Sequence, residues 1–440
     1  MANCVVRFLQ PDNFYPHMIV SLLLSGNTFE IHPMTLPFKP LSILAYLFLL
    51  VPFAISMPGR ASSVAVLSIS IVCLYLLFTS SNKGEALMFL KSPAMILIGM
   101  QFFVVVLGLA YSPNIEQGWE DVERSFFLLA AGLILYQMKS LEVSVFHCII
   151  TFAIGCAAIT LVGIANGFPG LLEAILQNGF QHDHGSFTES IDIHPTYLTI
   201  YFTFIFFFLA ETMRIGAPGR KTYFSVSLLL AGLFCVAIIL LLRSKMGLLV
   251  FATLLVIYAI IILKRRAWLV TFVLFTIGLL TFLLDQNRIT TIFDTYGQNV
   301  SAALDQRFMV WRGTLEGIKT SPIFGAGTGG EQLLIDEGYR LMGFPAGITN
   351  SFNAHNQYLQ FFVRNGILEL GFFLAFLIYC FKKSRLMNNY TFLLFNMAVT
   401  LIMFTESFLS VQKGIMFFYF FSLAFLILPY ERQEPAIREI

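Results

Sequence analysis

The stretch TYFSVSLLLAGLFCVAIILLL, residues 222–242, decides the fold. It holds no charge, it is as long as the ~20 residues that cross a bilayer, and it stops abruptly at Arg243-Ser244-Lys245. Backbone groups in hydrocarbon must be satisfied within their own segment, so such a run is a transmembrane helix. The same reading repeats along the chain. Candidate spans fall at 41–57, 62–80, 94–111, 124–138, 145–166, 196–213, 222–242, 246–263, 267–284, 357–381, 390–410 and 413–429. Composition agrees: 57% of the 440 residues are hydrophobic, 48 are Phe and only 12% are charged, against ~25% charged in soluble domains. The expectation is an all-α polytopic membrane protein with about 12 transmembrane helices. The six cysteines lie scattered, mostly within apolar runs, with no CxxC pair; they read as small packing residues.

Charge sets the orientation. One set of loops carries Arg7, Lys39, Lys83, Lys91, Lys139, Arg214, Arg220, Lys221, the triplet Lys264-Arg265-Arg266, the cluster Lys382, Lys383, Arg385, and Arg432 and Arg438. The short loops opposite carry only Arg60, Arg243, Lys245 and Lys413, with Arg124 at a helix edge. The basic side is cytoplasmic, which puts both termini there and the polar stretches 167–195 and 285–356 outside. The expected layout is an N-terminal cytoplasmic or interfacial segment at 1–40, nine spans within 41–284, an outer loop at 285–356, three spans within 357–430 and a cytoplasmic tail at 431–440. No cleavable signal peptide is evident; Met18–Leu24 is too short to span.

The chemistry gathers in the outer loop. Ala302–Thr320 reads as a helix stopped by Pro322, with Arg307, Trp311 and Leu315 on one face and Arg312 elsewhere. This is either a helix lying on headgroups or one that aims Arg307 at an anion, since the guanidinium fork suits phosphate oxygens; which arginine faces a site is a matter of helix phase. Next comes Pro322-Ile-Phe-Gly325-Ala-Gly327-Thr-Gly329-Gly330, a tight turn or an anion-binding nest of amides. His355 follows at the membrane mouth, with Asn356, Gln357, Tyr358, Gln360 and Arg364 as a polar collar; a neutral imidazole there is a competent base. Arg243 closes a span on the side where arginine is disfavoured, which marks it as a functional candidate, and Lys245 lies beside it. His194 with Tyr197, and Glu406 near the end of the eleventh span, are weaker candidates. His182-Asp183-His184 lacks an obvious third ligand for a metal, Glu116, Glu120, Asp121 and Glu123 read as a solvated face, and there is no Asp-x-Asp pair.

Taken in order, Arg243-Ser244, Arg307 with Trp311, Pro322-x-x-Gly325-x-Gly327-x-Gly329, His355-Asn356-x-Tyr358-Leu359 and Asn365-Gly366 resemble the O-antigen ligase/polymerase superfamily, as does His194-Pro195-x-Tyr197. The motifs cover about 190–385, and the arrangement resembles the ligases: GT-C-like, with a large periplasmic loop between the ninth and tenth spans. The resemblance implies an inverting, metal-independent glycosyltransferase with no cofactor, at the periplasmic face of the bacterial inner membrane. Its donor is a glycan on undecaprenyl pyrophosphate and its acceptor a sugar hydroxyl of lipid A–core; no nucleic acid is involved. It implies His355 as the catalytic residue and Arg243 and Arg307 on the donor pyrophosphate, with the motif residues His194, Tyr197, Trp311, Gly325, Gly327 and Tyr358 as supporting candidates; Lys245 and Arg312 join them from position alone. An O-antigen polymerase and a protein O-glycosyltransferase share that donor. A lipid or glycan transporter is the alternative of another class; such proteins show internal repeats and helices broken at the midplane, whereas the runs here are nearly uninterrupted.

Overall fold

The computed structural model describes residues 42–79, 83–178, 188, 190–215, 222–260 and 307–430. The expected ninth span at 267–284, the Lys264–Arg266 triplet, Ala302–Gln306 and His182–His184 lie outside these residues. Among the described residues every element is helical. In order they are α1 Ile43–Ile55, α2 Gly59–Thr79, α3 Lys83–Leu90, α4 Pro93–Leu109, α5 Ile115–Ser140, α6 Val145–Asn178, α7 Pro195–Ile215, α8 Thr222–Leu242 and α9 Lys245–Tyr258. Then come α10 at 307–320, α11 Glu331–Leu341, α12 Pro345–Thr349, α13 Gln357–Leu386, α14 Tyr390–Met403, a 3₁₀ turn Phe408–Ser410 and α15 Gln412–Ile427. Local chemistry sets the starts. Asn114, Ser244, Asn356 and Asn389 cap α5, α9, α13 and α14 through their side-chain oxygens, each satisfying amides that the first turn leaves open. Pro93 and Pro345 sit in the first turn of α4 and α12, where a missing N–H costs nothing.

Five described helices are long and apolar enough to cross a membrane: Ala61–Thr79, Val145–Gly167, Pro195–Ile215, Phe224–Leu242 and Gln357–Leu386. Five shorter apolar helices join them, and the chain is a multi-pass membrane protein. The core centres on α15, in which every residue from Lys413 to Phe425 is buried; a helix buried all round is apolar all round. Phe417 and Phe421 there interlock with Phe152 of α6, Phe204 of α7 and Phe395 of α14, at centroid distances of 4.9–6.2 Å. By contrast α2 and α8 expose Leu67, Ile71, Leu229 and Leu233, the faces that lipid covers.

The structure corrects three expectations. First, α13 is not one rod. Asn365 and Gly366 leave helical dihedrals (Gly366 φ 67°, ψ −159°), and the rings of Tyr358 and Phe361 lie 6.0 and 4.9 Å from that of Phe373. In an unbroken helix the Cα atoms of Tyr358 and Phe373 would stand about 22 Å apart, at ~1.5 Å per residue. Residues 357–364 therefore fold back along 367–386 as a helical hairpin rather than continuing it as one straight helix. Only glycine fits the bend, because a Cβ at Gly366 would lie 2.0 Å from the Ile323 carbonyl oxygen.

Second, α5 starts at Ile115, so Arg124 is within a helix; Glu116, Glu120 and Glu123 are exposed as expected, but Asp121 is not. Asp121 is 4% exposed and pairs with Arg124 at 2.9 Å and Arg364 at 3.9 Å. Third, α14 ends at Met403, which puts Glu406 in a loop rather than in the eleventh span.

The segment 307–363 has its own small core of Val310, Ile318, Ile335, Tyr339, Ala354 and Val363. It is bolted to the bundle by the glycine turn: Ala326 and Gly327 amides donate to the Val363 and Arg364 carbonyls, Thr328 to Gly108, and Ile367 to Pro322. Below the turn lies a buried polar cluster. Arg364 pairs with Glu369 and Asp121, and the Asn365 amide donates to Glu369 at 3.0 Å and to Thr328 at 2.9 Å. Burial, reinforced by Asp121, pushes the Glu331 carboxyl from its ordinary 4.5 up to about 7. The folded chain then binds more protons than the unfolded chain between those values, so this group's contribution to stability falls as pH rises through that window. Glu331→Gln is expected to remove that part of the fall, read from unfolding midpoints in detergent across pH 4.5 to 7.

Candidate active site

Three chain segments meet around Glu406, in the loop after α14. The α10 helix sends Arg307 to it: Nη1 donates to the Thr405 carbonyl at 3.1 Å, and Nη2 lies 3.5 Å from Glu406 Oε1. From the segment before α13, His355 Nδ1 lies 3.7 Å from Glu406 Oε2. The carboxylate thus stands between a guanidinium and an imidazole. Its side chain is 23% exposed and that of His355 36%, so the group opens to solvent while its floor is protein. His355 is placed by its backbone: its amide donates to Asn353 Oδ1 at 2.9 Å, and the same oxygen accepts from Ser407 Oγ at 3.3 Å. Asn356 Nδ2 donates to the Phe404 carbonyl at 3.1 Å, which fixes the two loops together.

The third segment is the start of α7. Tyr197 stacks on Phe408 at 4.6 Å and donates to its carbonyl at 3.1 Å, two residues past Glu406. Its neighbour Thr196 shares a 3.0 Å hydrogen bond with Ser244, the residue after Arg243, so α7 carries the Arg243 corner to the same end of the bundle. His194 is exposed and its Nδ1 accepts from the Thr196 amide at 3.3 Å. The buried Lys413 ammonium donates to the Asp192 carbonyl and ties that loop to α15. Among the described residues Arg243, His355 and Asp192 all hold positive φ, at 49°, 42° and 49°. Left-handed non-glycine residues are strained, and strain of this kind gathers at functional sites.

The other sequence candidates lie apart from this group. Arg312 is exposed on the far side of α10 from Arg307, and Lys245 is exposed at the start of α9. Trp311 packs against the small core of the 307–363 segment. The Tyr358 hydroxyl donates to the Thr400 carbonyl at 3.1 Å. Gln357 and Gln360 accept from the Leu409 and Ala354 amides, so the polar collar builds the hairpin's entry. The amides of Gly325 through Gly330 all donate to acceptors of the chain itself; Gly325 and Gly327 belong to a tight turn, not to an anion nest. Sequence reasoning undervalued Glu406 and missed Asn353. The signal for Glu406 was an acid beside an apolar run, expensive to place there without a partner.

These features define a multi-pass, all-helical membrane protein with a cationic and imidazole-bearing site at one end of its bundle. Residues 230–376, about a third of the chain, match the family model described as O-Antigen ligase, consistent with a member of the O-antigen ligase-type superfamily. The matched stretch includes Arg243, Arg307 and His355. A search of curated proteins finds no match.

Proposed function

We propose that this protein is an O-antigen ligase. It transfers a glycan from undecaprenyl pyrophosphate to a sugar hydroxyl of lipid A–core, at the periplasmic face of the bacterial inner membrane. The observation that carries this reading is the convergence of Arg307, Glu406 and His355, within or beside the stretch matched by the family model. The proposed setting is a GT-C-like arrangement of about 12 spans with both termini cytoplasmic. The acceptor hydroxyl attacks the anomeric carbon as His355 takes its proton. The bond from that carbon to the pyrophosphate oxygen breaks, and the configuration inverts. The pyrophosphate leaves with more negative charge than it brought, and Arg243 and Arg307 compensate it. Glu406 holds the His355 ring and stabilises the imidazolium that forms, as a carboxylate behind a catalytic imidazole does.

Reconstitution tests the reading: purified protein, undecaprenyl-pyrophosphate glycan and lipid A–core in liposomes, with no added metal. Glycan on lipid A–core supports the ligase. Longer glycan on the carrier with the core untouched points to a polymerase, and no transfer by folded protein overturns the enzyme. In that assay Arg307→Ala is expected to lower the rate about 10²–10³-fold, the scale of one preorganised donor to a developing anion. Arg312→Glu should leave transfer nearly intact. The reverse pattern would mean that α10 presents its other face to the donor.

A further inference from the structure

The glycine turn leaves one part of itself outward. Ile323 is 56% exposed and Phe324 59%, with Tyr111 beside them at 45%. Tyr111 packs edge-on to Phe324, ring to ring at 6.4 Å, and its hydroxyl donates to the Phe324 carbonyl at 2.8 Å. No residue from Ser321 to Gly330 is charged. A patch of this kind on a water-facing loop needs a cover.

The hairpin in α13 gives the height of that patch. Its limb above the basic cluster, 367–381, is about 22 Å of helix at ~1.5 Å per residue, shorter than the ~30 Å of a bilayer's hydrocarbon core. The cluster is Lys382, Lys383 and Arg385. The upper boundary therefore falls at or above Ile367, whose amide donates to the Pro322 carbonyl. The tip and the start of that limb are at one level. Exposed apolar side chains flank the points where the turn is attached: Ile367 and Leu368 at the Ile367–Pro322 hydrogen bond on α13, and Leu107 on α4 beside Gly108, whose carbonyl accepts from Thr328. Tyrosine with its ring in the apolar layer and its hydroxyl on a backbone carbonyl suits the headgroup boundary.

We propose that Ile323, Phe324 and Tyr111 form an interfacial anchor buried in the outer leaflet, covered by the glycerol and upper acyl region of phospholipid. The absence of charge and the exposed apolar side chains at both attachment points favour lipid over a protein partner. The anchor is joined by Pro322 to the end of α10, which carries Arg307, and by Gly366 to the limb that leads back to His355. It fixes the height of both groups above the membrane. This placement stands whether or not the transfer reaction does.

Site-directed spin labelling tests it on the full-length protein in phospholipid vesicles. The labels are placed by Ile323→Cys or Phe324→Cys in a Cys4→Ser background; the described native cysteines are all buried. Comparators are Ile378→Cys on the lipid face of α13 and Lys319→Cys on the exposed end of α10. Both tip labels are expected to collide several-fold more often with oxygen, which partitions into lipid, than with a water-soluble nickel chelate, as at 378. Nickel exceeding oxygen at both, as at 319, overturns the anchor. So does shielding from both reagents, which would mean protein or a second copy covers the tip. Two labels guard against one that disturbs the turn.

Discussion

His355→Ala is expected to lower glycan transfer by about 10²–10⁴-fold, the range that a positioned general base contributes, while the protein stays folded. Folding should survive because the side chain supports little else. The ring is partly exposed, and its backbone is held by Asn353 through an amide that alanine retains. Alanine at φ 42° is a left-handed non-glycine residue as histidine is, so the substitution adds little backbone strain. Two further variants separate a base from a group that merely positions the acceptor. His355→Gln keeps a hydrogen-bond donor near the same place and removes the basic nitrogen; a base predicts that it is as inactive as alanine, a positioning donor that it retains much of the rate. Glu406→Gln should fall between. At 3.7 Å the Glu406 carboxylate is beyond hydrogen-bond length from Nδ1, though such contacts often tighten only once substrate is bound. Losing its charge weakens the hold on the ring and on Arg307 together. A Glu406→Gln rate equal to wild type would remove it from the mechanism.

How far the site was legible depended on the range of the interactions that build it. The span at 222–242 and its end at Arg243 were readable, because an uncharged run of that length has one solution in lipid. The phase of α10 was readable as well: Arg307 and Trp311 share a face because they are one helical step apart, and Arg312 points away. The fold-back of 357–364 was not, because hydropathy runs on across Asn365-Gly366. What bends the chain there is the docking of the turn at 322–328, set by backbone hydrogen bonds to Val363, Arg364 and Gly108. Asp121 looked solvated for the same reason: its partner Arg364 is remote in sequence, and local patterning does not register it. Glu406 reads locally as the polar end of a helix; only the packing of α10 and the His355 loop against it gives it a role.

The second large effect is on stability. Arg364→Met should destabilise the protein by about 3–5 kcal/mol, the cost of removing one member of a buried ion pair. Arg364 lies in the hairpin with its guanidinium against Glu369 and Asp121, all three buried. Methionine fills much of the volume, so the loss is electrostatic rather than a cavity. It leaves Glu369, Asp121 and the nearby Glu331 facing one another, with Arg124 paired to Asp121 at 2.9 Å. Glu369→Ala should cost less, because Asp121 stays within reach of the arginine, yet it also deprives the Asn365 amide of an acceptor at the bend. The double variant Arg364→Met, Glu369→Leu should recover much of either loss, since neither charge is then stranded. Denaturant titration of the three variants in detergent measures the differences. A single variant as stable as wild type would show that the hairpin is held by the turn and its aromatic packing alone. If the ion pair does hold it, Arg364→Met also lowers transfer, because the limb it secures leads directly to His355.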